Sequence, residues 1–169
     1  MTSDAAAQHT VRWGVLAPGI IAHVQVADMR RHGLRVDAVA SRDLARARDF
    51  AAEFGIARAY GDYQALCAAP DIDAIYIASP HPFHAKQALL AISHGKHVLV
   101  EKAFAMNARQ AQTVLDAASA RGVIALEAMW VRYLPYMAVI QNWLAEGHIG
   151  RVRAVSADHL LRVTEQGLL

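Results

Sequence analysis

The sequence predicts an α/β fold in which a doubly wound parallel sheet is covered by helices on both faces. Short apolar runs alternate with longer segments of helical periodicity, and these runs are continuously apolar rather than alternating with polar residues. Continuous apolar runs are typical of strands that are buried on both faces. Ligands of such folds bind at the carboxyl ends of the strands, so the residues that follow each strand are the first candidates for a site.

Each predicted element is an apolar pattern bounded by a turn or capping signal. Strands are predicted at residues 11–17, 35–41, 57–60, 72–79, 96–102 and 123–130. Helices are predicted at residues 20–33, 42–55, 62–69, 81–95, 107–122 and 134–150. Asn107 is expected to cap the fifth helix, and Pro135 is tolerated in the first turn of the sixth. A further long strand is predicted at residues 151–163.

The composition excludes several classes of protein. The 169 residues are 55% hydrophobic and 19% charged, which suits a domain with an ordinary core. The net charge of +2 comes without any lysine or arginine block, so nucleic acid is not an expected partner. No apolar run approaches the roughly 20 residues of a membrane span, and the first ten residues lack the apolar region of a signal peptide. Because Cys67 is the single cysteine, a cytoplasmic protein without disulfides is expected.

The first strand leads into a turn that resembles a phosphate-binding loop. Ala17, Pro18 and Gly19 retain only the middle glycine of the pattern G-x-G-x-x-G. The helix expected from Ile20 and Ile21 would direct its free N–H groups at a pyrophosphate, and Gly19 would let that phosphate approach the backbone. The alternative is an ordinary strand-to-helix turn that happens to contain one glycine.

The end of the second strand indicates which dinucleotide is favoured. NAD-binding folds place Asp or Glu at this point, whereas this sequence has Ser41 and Arg42, with Asp43 only afterwards. Arg42 can bind a 2′-phosphate with two hydrogen bonds, Ser41 can donate to it, and Arg46 lies one helical turn further on. NADP is therefore predicted, with NAD less favoured. The alternative is that Arg42, Arg46 and Arg48 form a solvated helix face.

Two later strand ends carry further candidates. The fourth strand closes with Ala78, Ser79, Pro80 and His81, a stiff turn beside the expected nicotinamide. His84 follows, either as a substrate contact or as a helix-start histidine bonded to a backbone group. The pair His81 and His84 is too little for a metal site, so no metal is expected.

The fifth strand ends at Glu101 and Lys102, and charges at the end of a buried strand must be paired or used. A ligand contact is one explanation for Lys102. The alternative is a lysine that extends to water.

Four stretches in the same order resemble the Gfo/Idh/MocA family of NAD(P)-dependent oxidoreductases, which includes glucose-fructose oxidoreductase and inositol 2-dehydrogenase. They are residues 13–23, 39–55, 72–107 and 126–137. The third is the most specific, because Glu101 and Lys102 match the family's "EKP" tripeptide. The fourth is most similar to the dimeric dihydrodiol dehydrogenase and xylose dehydrogenase branch, whose members favour NADP.

The resemblance implies a role for each matched residue. Lys102 would lie beside the nicotinamide and the substrate carbinol, assist proton transfer and contact substrate. Glu101 would orient it or contact the cofactor, and Trp130 and Arg132 would line the nicotinamide end. The implied reaction is hydride transfer between NADP and a secondary alcohol of a sugar or a trans-dihydrodiol, in a homo-oligomer. The remaining acid-base residue is expected beyond residue 169.

The resemblance also implies the domain organisation. Residues 1–10 are expected to be a mobile tail, residues 11–127 a Rossmann domain, and residues 128–169 the beginning of a truncated α+β second domain. Two other hypotheses remain: a non-catalytic NADP-binding module or inactive remnant that associates through the strand at 151–163, and an unrelated regulatory α/β domain. Because Ala103 replaces the family's proline, a cis peptide bond after Lys102 is not expected.

Overall fold

The computed structural model describes residues 10–158, so the expected tail lies almost wholly outside the described residues. The strands are β1 (Arg12–Leu16), β2 (Arg35–Ala40), β3 (Arg58–Tyr60), β4 (Ala74–Ile77), β5 (His97–Val100) and β6 (Ala125–Glu127). The α-helices are α1 (Ile20–Arg31), α2 (Leu44–Phe54), α3 (Tyr63–Ala68), α4 (His84–Ser93), α5 (Ala108–Arg121) and α6 (Pro135–Ala145). Short 3₁₀ helices occupy His81–Phe83 and Trp130–Tyr133.

The strands form one parallel sheet in the order β3-β2-β1-β4-β5-β6, which confirms the predicted doubly wound α/β fold. The direction of winding reverses between β1 and β4, where folds of this kind open a ligand crevice. Leu16 pairs with Ala40 on one side and Ile77 on the other, and Val100 pairs with Ile77 and Glu127. The strands therefore end level, and the turns that follow them lie along one edge of the sheet.

Two hydrophobic clusters cover the two faces of the sheet. One joins strand residues such as Leu16 and Ile77 to buried residues of α3, α4 and α5. The other joins Val15, Val39 and Tyr76 to buried residues of α1 and α2. Neighbouring strand residues point to opposite faces, so continuous apolar runs supply both clusters.

Local signals at the helix ends behave as predicted. The Asn107 side chain accepts a hydrogen bond from the Gln110 N–H at 3.0 Å, and Pro135 is the first residue of α6. Gly55 and Gly122 terminate α2 and α5 in the left-handed conformation, with φ of 59° and 66°. The helix expected from residue 81 begins instead as a 3₁₀ turn and becomes α-helical at His84.

The strand predicted at residues 151–163 is wrong in its described part. Residues 151–158 form no strand, and residues 159–163 lie outside the described residues. A strand needs a neighbour to satisfy its backbone hydrogen bonds. Every strand pairing in the described part of the chain is between two of the six strands of the sheet, and none involves residues 151–158. An association through this strand therefore has no support in residues 151–158.

The chain divides into two compact units, and the division falls between Met129 and Trp130. The first unit holds the whole six-stranded sheet. The second holds the 3₁₀ turn Trp130–Tyr133 and helix α6. No helix of residues 10–158 is long and apolar enough to span a membrane.

Candidate functional site

The turn after β1 leaves open space in front of the first residues of α1. Gly19 is the N-cap of α1, with φ −103° and ψ −171°, an extended conformation that any residue adopts. A Cβ added to Gly19 would have no heavy atom within 4 Å. Neither the backbone nor packing within the described residues requires a glycine here. A ligand that must approach the backbone would require one, as the pyrophosphate of a dinucleotide does.

The same turn leaves the amino terminus of α1 without a competing acceptor. The N-cap makes no side-chain hydrogen bond, and the first turn contains no acidic residue. The first N–H groups of a helix have no partner within the helix, and its dipole is positive at this end. Ile20 is 71% exposed, so the approach to these groups is open.

Ala17 adopts a left-handed conformation, with φ 65°, at the position of the pattern's first glycine. This conformation costs an L-residue roughly 1–2 kcal/mol. We expect Ala17→Gly to raise the free energy of unfolding by about 0.5–1 kcal/mol, since relieved strain exceeds the added entropy of the unfolded chain. Chemical denaturation measures this. The matched control is Ala52→Gly on the exposed face of α2, which should lower the free energy of unfolding by about 1 kcal/mol. An equal decrease in the Ala17→Gly variant would contradict the expectation.

The turn after β2 presents basic side chains, and the carboxylate that follows it caps the next helix. The Asp43 carboxylate caps α2 by accepting the Ala45 N–H at 2.8 Å. The Ser41 side chain is buried, and its hydroxyl accepts the Asp43 N–H at 3.2 Å, which leaves its own hydrogen available to donate. The carboxylate nearest to the strand end is therefore committed to the helix.

Arg42 and Arg46 are exposed, and neither forms an ion pair within residues 10–158. The guanidinium carbon of Arg42 lies 5.9 Å from the centre of the Phe83 ring, at the outer limit of a cation–π contact. Phe83 belongs to the turn that follows β4, so this contact links two neighbouring turns of the same edge. Sequence reasoning missed Phe83, whose only signal was its place after a strand.

The turn after β4 contains a buried hydroxyl without a partner. Ser79 is 7% exposed, and its Oγ has no hydrogen-bond partner among the described residues. An unsatisfied buried hydroxyl costs about 1–3 kcal/mol, which a polar group of a bound ligand would offset. Ala78 is buried and its N–H donates to the Leu16 carbonyl at 3.1 Å, whereas Pro80 and His81 are exposed.

His84 is fully buried, which corrects the expectation that it contacts substrate. Its Nε2 lies 2.6 Å from the Ser79 carbonyl oxygen and its Nδ1 lies 2.7 Å from that of Ala103. Both ring nitrogens are thus engaged with the backbone. The structure agrees with the alternative, a histidine at a helix start that is bonded to backbone groups.

Glu101 is tied to the protein through both of its carboxylate oxygens. Oε1 accepts the Tyr76 hydroxyl at 2.8 Å, and Oε2 accepts the Lys102 N–H at 3.2 Å. Burial, followed by the hydrogen bond to Glu101, raises the pKa of Tyr76, so the phenol stays protonated as a donor. Glu101 thus bonds the backbone of Lys102, and both its orienting role and its contact with the cofactor stay predictions.

Lys102 is exposed at the end of β5 and forms no ion pair within the described residues. The peptide bond between Lys102 and Ala103 is cis, so the expectation of a trans bond at this position is wrong. That expectation used only the identity of the next residue. Tertiary contacts surround this bond: His84 at the Ala103 carbonyl, and Glu127, whose Oε1 accepts the Phe104 N–H at 2.8 Å.

Glu127 is a second residue that sequence reasoning missed. It ends β6 at the same edge as Glu101. The rule that strand ends carry the site could have found it. Trp130 and Arg132 belong to the second compact unit and are exposed there, so their place beside the cofactor stays a prediction. Residues 10–158 contain no group of three or more side chains suited to a metal ion.

The strand order, the switch point between β1 and β4 and the open glycine turn define a Rossmann domain of the dinucleotide-binding class. A family model described as "Oxidoreductase family, NAD-binding Rossmann fold" matches residues 11–129. The chain belongs to this family, Gfo/Idh/MocA, as its sequence motifs predicted.

Curated relatives include trans-1,2-dihydrobenzene-1,2-diol dehydrogenases. The chain is 36% identical to the enzyme from Bos taurus in an alignment 164 residues long, which covers 92% of this chain and 49% of that protein. It is 38% identical to the enzyme from Danio rerio in an alignment 151 residues long, which covers 88% of this chain and 45% of that protein. The chain thus spans about half the length of these relatives.

Solved structures of related oxidoreductases share the fold. A 3-ketoreductase from Actinomadura kijaniata, solved with NADP and TDP-benzene, is 32% identical with a TM-score of 0.76, covering 81% of this chain and 42% of that one. An NAD binding oxidoreductase from Klebsiella pneumoniae is also 32% identical with a TM-score of 0.76, covering 83% of this chain and 40% of that one.

Proposed function

We propose that this chain binds NADP(H) along the carboxyl edge of its sheet and is the cofactor-binding portion of an NADP-dependent oxidoreductase. The observation that carries the proposal is Gly19, a glycine that neither backbone nor packing demands, at the open amino terminus of α1. Residues 17–21 would hold the pyrophosphate, and residues 78–81 would lie at the nicotinamide. The unpartnered Ser79 hydroxyl fits such a ligand.

The preference for NADP rests on the turn after β2. Arg42 and Arg46 are available to a 2′-phosphate, Ser41 has a hydrogen to donate, and the Asp43 carboxylate is committed to capping α2. A carboxylate that was free at this point would repel the phosphate and favour NAD. The related 3-ketoreductase solved with NADP supports the same choice.

The proposed chemistry is hydride transfer between NADP and a secondary alcohol of a sugar or a trans-dihydrodiol. When bound, the nicotinamide supplies the hydride donor or acceptor. The ammonium of Lys102 would hydrogen-bond the reacting oxygen and stabilise charge on it. The curated dihydrodiol dehydrogenases support the substrate class. Trp130 and Arg132 would complete the nicotinamide end.

We assign cofactor binding to residues 11–127 and the beginning of a second domain to residues 128–169, and the division after Met129 supports this assignment. We also propose the homo-oligomeric state implied by the family resemblance and a cytoplasmic location. The single cysteine, Cys67, fits a reducing compartment, and burial raises the pKa of its thiol to about 12.

A fluorescence titration tests the proposed cofactor. The chain contains three tryptophans, whose emission a bound dihydronicotinamide quenches. We expect NADPH to bind about tenfold or more tightly than NADH, as one charge-assisted contact to the 2′-phosphate implies. Equal affinities would contradict the NADP preference alone. Failure of both cofactors to bind would contradict the proposed function.

A chemical footprint tests the position of Lys102. The three lysines of the chain are Lys86, Lys96 and Lys102, so peptide mass spectrometry resolves each one. With NADPH at about 100 times its Kd, we expect acylation of Lys102 to slow by about tenfold, because occupied sites exclude the reagent. Exposed Lys86 in α4 is the internal reference and should react at an unchanged rate. Equal rates at Lys102 with and without NADPH would contradict its placement beside the cofactor.

A further inference from the structure

The backbone that carries Lys102 is held at three consecutive points. The Lys102 N–H donates to Oε2 of Glu101 at 3.2 Å, and the Phe104 N–H donates to Oε1 of Glu127 at 2.8 Å. Between them, the carbonyl at residue 103 lies 2.7 Å from Nδ1 of His84. These three side chains come from the turn after β5, the end of β6 and the start of α4. The segment therefore has a fixed path although Lys102 itself is exposed.

Glu127 is the contact that comes from a separate strand. It is half-buried, it pairs in register with Val100, and its carboxylate points across the edge to the segment that follows β5. A hydrogen bond from a neutral N–H to an ionised carboxylate is stronger than one between neutral groups. Phe104 is thus fixed twice, through its N–H to Glu127 and through its ring, which packs against the hydrophobic core.

His84 links this segment to the turn after β4. Its ring spans the carbonyl oxygens of Ser79 and Ala103, and it is fully buried. The His84 ring therefore bridges the backbone of the proposed nicotinamide turn and the backbone beside Lys102. A displacement of the Lys102 segment would have to break this bridge or the contact with Glu127.

We propose that Glu127 is a positioning residue for Lys102: by accepting the Phe104 N–H, it holds the ammonium of Lys102 toward the cofactor edge. This inference rests on the proposed function, since it takes Lys102 as the group beside the nicotinamide. Glu127 acts through the backbone of residues 102–104. Loss of its carboxylate should release this segment and leave the phosphate-binding turns after β1 and β2 intact.

Glu127→Ala and Glu127→Gln test the proposal, with Leu126→Ala as the control at an exposed position of the same strand. In Glu127→Ala, we expect hydrogen exchange at the Phe104 amide to accelerate about tenfold, the effect of losing one charge-assisted hydrogen bond. NADPH should bind with a Kd within about threefold of the original, since the phosphate turns are untouched. Its protection of Lys102 from acylation should fall to under about twofold. Glu127→Gln retains an accepting oxygen without its charge, so both readouts should lie between those of Glu127→Ala and the unaltered chain. Leu126→Ala should leave both readouts unchanged.

The two readouts separate this inference from the proposed function. Hydrogen exchange at the Phe104 amide is measured without ligand, so it reports on residues 102–104 even if NADPH does not bind. Failure of NADPH to bind the unaltered chain would contradict the proposed function alone. Unchanged exchange and unchanged Lys102 protection in Glu127→Ala would overturn the positioning role. If circular dichroism shows that the alanine variant does not fold, Glu127→Leu preserves the side-chain bulk and is measured in the same way, with the same outcomes deciding.

Discussion

Replacing Gly19 with valine should abolish detectable NADPH binding while leaving the domain folded. The backbone at Gly19 is extended, which a β-branched residue adopts readily, and a Cβ there meets no protein atom within 4 Å. The valine methyl groups would instead fill the space that the pyrophosphate needs at the amino terminus of α1. We expect a loss of affinity of about 100-fold or more, because close contacts to two phosphates disappear together. The measurement is the fluorescence titration, with a thermal melt on the same sample.

A glycine of β1 provides the opposite control. A Cβ at Gly14 would lie 2.9 Å from Cδ1 of Ile75 and 3.0 Å from Cδ1 of Leu66, inside the core. Gly14→Ala should therefore destabilise the fold by about 1–3 kcal/mol and leave the NADPH affinity of the folded fraction unchanged. Normal NADPH binding by the Gly19→Val variant would show that the turn after β1 does not hold the cofactor.

Replacing Arg42 with alanine should remove the preference for NADPH. A guanidinium that binds the 2′-phosphate with two charge-assisted hydrogen bonds contributes about 1.5–3 kcal/mol, which corresponds to a tenfold to hundredfold loss of NADPH affinity. NADH lacks this phosphate, so its affinity should change by less than about twofold. The preference should also weaken with added salt, since Arg42 is exposed and screened by solvent. Paired titrations with both cofactors at low and high salt measure these effects.

Arg48 supplies the matched control for this prediction. It lies on α2, as Arg46 does, carries the same charge as Arg42 and is exposed, but it stands two residues beyond Arg46 on a different side of the helix. Arg48→Ala should leave both affinities unchanged, whereas Arg46→Ala should reduce NADPH binding less than Arg42→Ala. An equal loss of NADPH and NADH binding in the Arg42 variant would mean that Arg42 supports the turn rather than the phosphate.

The sheet was predictable because its signals are local. The continuous apolar runs indicated parallel strands, and the glycines and Asn107 marked helix ends that the structure confirms. The same logic brought Gly19, Arg42 and Lys102 to one edge, because parallel strands end together. The strand predicted over residues 151–163 is wrong over residues 151–158, since its apolar pattern carries no information about a pairing neighbour.

The contacts among the site residues were beyond local reasoning. Nothing in the neighbourhood of His84 reveals that a carbonyl 19 residues later in the sequence lies beside its ring. The bonds from Tyr76 to Glu101 and from Phe104 to Glu127 join residues that are 25 and 23 positions apart. Such contacts depend on how strands and turns meet in space, and they also surround the cis peptide bond after Lys102. The sequence could name the candidates, whereas their division into ligand-facing and supporting residues needed the fold.

The most direct test of the central claim is to map NADPH onto the amide resonances of the chain by heteronuclear NMR. The claim is that the cofactor lies along the carboxyl edge of the sheet, from the turn after β2, across the turn after β1, to the turns after β4 and β5. We predict that the largest shifts fall in residues 17–21, 41–46, 78–81 and 101–104, and that NADH reproduces all of them except those at residues 41–46. Shifts centred on the opposite edge of the sheet, or no shifts at saturating NADPH, would contradict the claim.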